Sequence, residues 1–310
     1  MKRAPHYGHA DDNVPRAVAL MSISTVMFGG MALTIRYASK QLHPFEIAFF
    51  RNLFGFAFTL PLLARHGMAI FRTQKISLYF MRCAMGIVSM LAGFWAIANL
   101  PLAQATSLTY STPLFVTIGA MLFLGEVVRA RRWSAVALGF LGVLLIVRPG
   151  HASFNAGSLV ALLAAAMSGM VAVSIKFLSR TEKPDTIVIY TTMLWVPMSL
   201  VPALFYWQAP VGITWLWIVL AGFFGTSGHM FWTRALKLAD ASLLTPIGFL
   251  QVPLVALFGY FLFDEKLDRW TAVGAAIIFL SNAYIAHRES RTAQRAVTDP
   301  EINAKTPAPR

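Results

Sequence analysis

The chain has 310 residues, of which 57% are hydrophobic and only 13% are charged. A water-soluble domain of this length carries roughly twice that charged share, so a soluble globular protein is excluded. The formal charge of +13 does not indicate a nucleic-acid binder, because the basic residues are not gathered into one patch but lie between apolar runs.

Met1 to Arg16 is polar. The apolar run that follows is too long for a signal peptide and has no small-residue cleavage site, so the first helix is expected to be retained. Ten apolar segments follow in chain order, at about 17–36, 45–64, 77–99, 102–124, 133–147, 157–178, 186–205, 213–233, 241–263 and 270–286. Runs near twenty residues are the length of a bilayer-spanning helix, and lipid-embedded backbone must pair within its own helix. The fifth run is short for a span. The fold class expected is therefore an all-α integral membrane protein. From His287 the chain is polar, with Pro300, Pro307 and Pro309, and a disordered tail is expected.

Loop charge sets the orientation. With a cytoplasmic N-terminus, nineteen Lys and Arg fall inside and five outside, while Arg51 and Arg82 lie within helices. This bias places both termini in the cytoplasm.

The chain carries nearly the same stretch twice. Arg132-Trp133-Ser134-Ala135-Val136 returns as Arg269-Trp270-Thr271-Ala272-Val273, and Leu102-Ala103-Gln104-Ala105-Thr106 as Leu238-Ala239-Asp240-Ala241-Ser242. Arg36-Tyr37-Ala38-Ser39-Lys40 resembles Lys176-Phe177-Leu178-Ser179-Arg180, and Phe94-Trp95 falls opposite Phe231-Trp232. The organisation expected is residues 1–13 as a cytoplasmic tail, 14–150 and 156–288 as two five-helix repeats, and 289–310 as a disordered cytoplasmic tail. Five is odd, so the second repeat enters the membrane from the opposite side. The ten spans then form two inverted repeats, with a binding site near the midplane between them.

These residues resemble the drug/metabolite transporter superfamily, and within it the EamA-type transporters. The resemblance rests on several stretches. They are Arg51 after Phe49-Phe50, Leu-Pro-Leu-Ala-Gln-Ala-Thr at 100–106, Pro113 to Gly125-Glu126, and Gly139-Phe140-Leu141-Gly142-Val143 through Arg148-Pro149-Gly150. The second copy departs from the pattern, with Asp264-Glu265 for Gly-Glu and Thr191 where the first has Arg51. The resemblance implies alternating-access transport of a small organic metabolite across the bacterial inner membrane. In overall look the chain is most similar to the riboflavin and S-adenosylmethionine importers, so riboflavin uptake is the first reading. S-adenosylmethionine uptake and amino-acid or metabolite export are the alternatives.

Six residues are candidate substrate contacts. Arg51 is an ionised group about 10 Å into the second span at 1.5 Å per residue, where a charge is costly unless paired or hydrated. His229 follows Gly225-Thr226-Ser227-Gly228 and can hydrogen-bond a ligand or titrate near neutral pH. Trp95, Tyr110 and Trp232 offer flat rings for stacking, with Trp95 and Trp232 expected to face each other. Gln251 adds a polar group to the ninth span. For each, the structural reading is a packed or snorkelling side chain. Pro113, Pro246 and Pro253 interrupt the fourth and ninth spans and are candidate hinges. Glu126 and Glu265 read as surface ion pairs and Cys83 as a buried structural thiol.

There is no Walker A sequence, no metal-ligand spacing and no acidic residue central to a span. No cofactor and no metal are expected, and direct ATP drive and a carboxylate proton relay are disfavoured. The chain is not read as an enzyme. A membrane enzyme, the reading from another class, would need clustered acidic groups, histidines or a nucleophile. The partners expected are a small-molecule substrate and the lipid bilayer, with no nucleic acid. Small-residue faces at Ala135/Gly139 and Ala272/Ala276 leave a homodimer open.

Overall fold

In a computed structural model the described residues are 14–66, 75–124, 130–148, 155–178, 184–238, 244 and 247–298, and their regular structure is entirely helical. In chain order the helices are α1 (Val14–Ala38), α2 (Pro44–His66), α3 (Ile76–Asn99), α4 (Leu102–Thr109), α5 (Thr112–Leu124) and α6 (Ala130–Val147). They continue with α7 (Gly157–Leu178), α8 (Pro184–Leu204), α9 (Thr214–Leu238), α10 (Gln251–Phe263) and α11 (Arg269–Thr298). By length and composition, four of these stretches suit a membrane crossing: Pro15–Ala38, Ile76–Asn99, Leu102–Phe123 and Gly157–Ser174.

Local chemistry fixes the helix ends. Pro44 opens α2 at the position where its missing N–H costs nothing. His43 precedes it, and Glu46 reaches back to accept from the His43 backbone N–H at 3.0 Å, the acidic half of a capping box. Asp268 caps α11, its Oδ2 accepting from the N–H groups of Trp270 and Thr271, each at 3.1 Å. Asp264 closes α10 in the left-handed conformation, φ 54°.

The helices pair across the two halves of the sequence. α1 packs along α9, α3 along α7, α2 along α8 and α9, and α6 along α11. Buried hydroxyls reinforce these pairs. Ser24 of α1 donates to the Gly228 carbonyl of α9 at 2.9 Å, and Ser89 of α3 to the Ala164 carbonyl of α7 at 2.8 Å. α6 and α11 touch backbone to backbone. A Cβ on Gly142 would lie 2.7 Å from the Gly274 carbonyl, and one on Gly274 2.6 Å from that of Gly142. Ala135 and Gly139 belong to this packed face, whereas Ala272 and Ala276 point away from it and are exposed. The opposite side of α6 exposes Leu138, Leu141 and Leu144, an apolar stripe suited to lipid.

Two sequence expectations need correction. The fourth apolar run is not one helix, because it breaks at Tyr110-Ser111 into α4 and α5. The expected disordered tail is also too long, because α11 continues to Thr298. The stretch from Arg288 to Thr298 holds neither glycine nor proline and is rich in Ala, Arg, Glu and Gln, all strong helix formers apart from its few Ser, Thr and Val.

Candidate functional site

Two helix breaks meet inside the bundle. The first is at Tyr110-Ser111. The second lies at Phe249-Leu250, between the helical turn at Ile247-Gly248 and α10. Each is followed by a proline in the first turn of the next segment, Pro113 in α5 and Pro253 in α10. Proline cannot donate to the carbonyl four residues earlier. The Thr109 carbonyl, left without Pro113 as donor, accepts instead from the Thr112 hydroxyl at 2.8 Å. The Phe249 carbonyl, left without Pro253, accepts from Val252 N–H at 3.0 Å. Pro113 and Pro253 thus start new segments rather than bend continuous ones. Pro246 lies outside the described residues.

The breaks release backbone groups that the other half then captures. Leu114 N–H bonds the Ser111 carbonyl, which frees the Tyr110 carbonyl to accept from Asn282 Nδ2 of α11 at 2.7 Å. Val252 N–H bonds Phe249, which frees the Gly248 carbonyl to accept from the Tyr110 hydroxyl. The same hydroxyl reaches Gln251 Oε1 at 3.2 Å. The Tyr110 ring stands edge-on to Phe249, centroids 5.1 Å apart, and Phe249 lies against Phe279 at 4.8 Å. Of the sequence candidates, Tyr110 and Gln251 are therefore neighbours. Asn282 joins them and was missed, though an amide within the last apolar run was the available signal. Its Oδ1 is buried and has no hydrogen-bond partner among the described residues.

Arg51 of α2 is buried against α9. Its Nη1 donates to Asn52 Oδ1 at 2.9 Å, and Asn52 donates on to Ser199 of α8 at 3.1 Å. Gly225 makes room for the guanidinium, since a Cβ there would sit 2.8 Å from Arg51 Nε. One turn further along α9, His229 stands edge-on to Phe28 of α1 at 5.0 Å and to Trp232 at 6.5 Å. His229 and Trp232 both present accessible surface.

Trp95 lies elsewhere. It is half-buried near the end of α3 and packs on Gly157. It lines a cavity of about 370 Å³ with Leu42, His43, Asn99, Tyr206 and Gln208. Trp95 and Trp232 do not face each other. Trp95 shares its cavity with Tyr206 and Gln208, which precede α9, whereas Trp232 lies near the other end of that helix beside His229. Beside the cavity, His43 stacks on Tyr206 with centroids 3.8 Å apart. Burial pushes the His43 imidazole below its usual range, and the nearby Glu46 carboxylate offsets part of this.

Glu265 is more than a surface partner. It pairs with Arg36 at 2.6 Å and accepts from Leu102 N–H at 2.8 Å. Arg36 also donates to the carbonyls of Ile97 (2.9 Å) and Ala98. One ion pair thereby ties the ends of α1, α3, α4 and α10 together. Glu126 lies outside the described residues. Cys83 is buried, with its carbonyl accepting from the Trp195 indole at 3.3 Å.

Residues 15–148 and 155–286 each match the model of the EamA-like transporter family. A riboflavin transporter of Brucella anthropi is 32% identical over 258 residues, which is 81% of this chain and 90% of that protein. An S-adenosylmethionine uptake transporter of Rickettsia felis is 28% identical over 260 residues, 84% and 88% of the two chains. A protein known from a crystal structure shares the fold, with a TM-score of 0.63 at 19% identity over 90% of this chain and 99% of its own. The family resemblance carried by the motifs holds across both copies: this chain is a multi-pass membrane protein of the EamA-like transporter family.

Proposed function

We propose that the chain takes up riboflavin, or a closely related flavin, across the bacterial inner membrane by alternating access. In this reading ten spans form two inverted five-helix halves with both termini in the cytoplasm. The pairing of α1 with α9 and of α3 with α7 supports it, since exchanging the halves converts one pair into the other.

The observation that carries the proposal is the junction of the two helix breaks. Unwound backbone at mid-membrane is tolerated only where protein or a cavity satisfies it, and it is where transporters of this kind bind cargo. Here the junction offers Tyr110, Gln251 and Asn282 as hydrogen-bonding groups beside the packed rings of Phe249 and Phe279. A flavin edge presents acceptor, donor and acceptor in a row, and the Asn282 Oδ1, without a partner among the described residues, suits its central N–H. Arg51, His229 and Trp232 line the approach from α2 and α9. The names of the relatives add weight to a vitamin or nucleoside-like cargo.

Uptake of labelled riboflavin into proteoliposomes, with S-adenosylmethionine and amino acids in parallel, tests this reading. Saturable riboflavin uptake supports it. Movement of only S-adenosylmethionine or amino acids would transfer the assignment to those cargoes, export included. No substrate movement together with turnover of a lipid would favour a membrane enzyme.

A further inference from the structure

Two arginines are buried inside the bundle, and among the described residues no carboxylate pairs with either. Arg51 is 6% exposed and Arg82 is 7% exposed. Each guanidinium donates through Nη1 to a neutral group, Asn52 Oδ1 and Thr191 Oγ1. The Nε of each has no hydrogen-bond acceptor among the described residues. Arginine does not shed its proton to escape such a site. The nearest carboxylate along α2, Glu46, is committed to the backbone N–H groups of His43 and Gln208 at 3.0 and 2.6 Å. Asp264, Glu265 and Asp268 lie beyond the end of α10.

The two arginines occupy the same interface twice. In the repeat register that sets Pro44 on Pro184, Arg51 falls on Thr191 and Arg82 on Gly222. Arg51 packs on Gly222 and Gly225 of α9, and Arg82 bonds Thr191 of α8. The flanking contacts repeat too. Gly55 meets Thr226, and Gly86 meets Trp195, which are the same two positions exchanged between halves. The cation comes from α2 in one interface and from α3 in the other. Arg51 lies seven residues from the start of α2 and Arg82 six from the start of α3, about 10 Å from their respective helix ends. α2 and α3 are consecutive spans, so those ends face opposite sides of the membrane.

An unneutralised charge at that depth is costly unless it is paired or hydrated. A permanent protein carboxylate would remove the cost, and none pairs with either guanidinium among the described residues. We infer that Arg51 and Arg82 are two stations for a small anionic group, one in each leaflet, occupied in turn as the site opens to either side. The anion is either part of the cargo or a free inorganic ion moving with it. The inference rests on the transporter reading and is independent of the flavin assignment.

The test uses the purified full chain. Its melting midpoint is followed against chloride, formate and phosphate at constant ionic strength in sodium gluconate, and against riboflavin and flavin mononucleotide, which differ by one phosphate. A saturable rise with a small inorganic anion or formate identifies a free ion. A rise with flavin mononucleotide alone identifies an anionic group on the cargo. In either case Arg51→Gln and Arg82→Gln should each weaken the apparent affinity about tenfold, and the lysine variants should weaken it less. No anion effect beyond gluconate, or glutamine variants responding like the parent, would overturn the inference. If the glutamine variants do not fold, the anion series on the parent chain decides alone. Anion dependence without any riboflavin uptake would sink the flavin reading and leave this one standing.

Discussion

Arg82 donates a hydrogen bond to Thr191, and Thr191 stands in the second half where Arg51 stands in the first. Thr191→Val keeps the shape and removes the acceptor, leaving Arg82 with one more unmet donor. The variant should lose about 1–3 kcal/mol of stability, and Thr191→Ser should retain most of it. Thermal unfolding of the purified variants measures both.

Tyr110 bridges the two helix breaks through one hydroxyl. Tyr110→Phe keeps the ring contact with Phe249 but returns the Gly248 carbonyl and Gln251 to an unsatisfied state. Uptake should fall by about tenfold or more, the scale of one lost buried hydrogen bond with its desolvation. Normal uptake by this variant would remove the junction from the cargo site.

The ion pair of Arg36 with Glu265 holds four helix ends on the side of the Lys40 loop. Glu265→Gln should loosen that end of the bundle. A cysteine placed at Asn99, in a chain with Cys83→Ala, should then react faster with a membrane-impermeant maleimide. An unchanged labelling rate would show that the pair does not hold this end closed.

His43 carries a pH effect of known sign. Burial lowers its folded-state pKa below the ordinary 6.5, so the folded chain binds its proton less readily than the unfolded chain does. Its contribution to stability is complete above about pH 6.5 and is lost as pH falls from there toward the folded-state value. Melting midpoints between pH 7.5 and 5 should fall, and His43→Gln should flatten part of that fall.

The all-helical class, the two copies and the family were legible because they rest on run length and quoted motifs, which are local in sequence. The helix breaks were not. Pro113 pointed to a discontinuity, but the satisfied Thr109 and Phe249 carbonyls depend on donors that only the folded chain supplies. Tyr110 and Gln251 were each visible as polar groups in apolar runs, while their contact with Asn282 joins three separate spans. Pairing Trp95 with Trp232 failed for a physical reason. Sequence similarity aligns equivalent positions, and in the inverted arrangement proposed here those positions go to opposite ends. The Arg51 and Arg82 interfaces show the converse, since a chemical role can persist while moving to the partner helix.

The contact between Gly142 and Gly274 has a mechanical consequence. Two backbones that touch at a single crossing, with carbonyls nested where side chains would stand, resist sliding far more than turning. A methyl group at either glycine would collide with main chain that cannot yield. In the alternating-access motion proposed above, α6 and α11 should therefore act as an axle, keeping their mutual distance while the helices around them tilt.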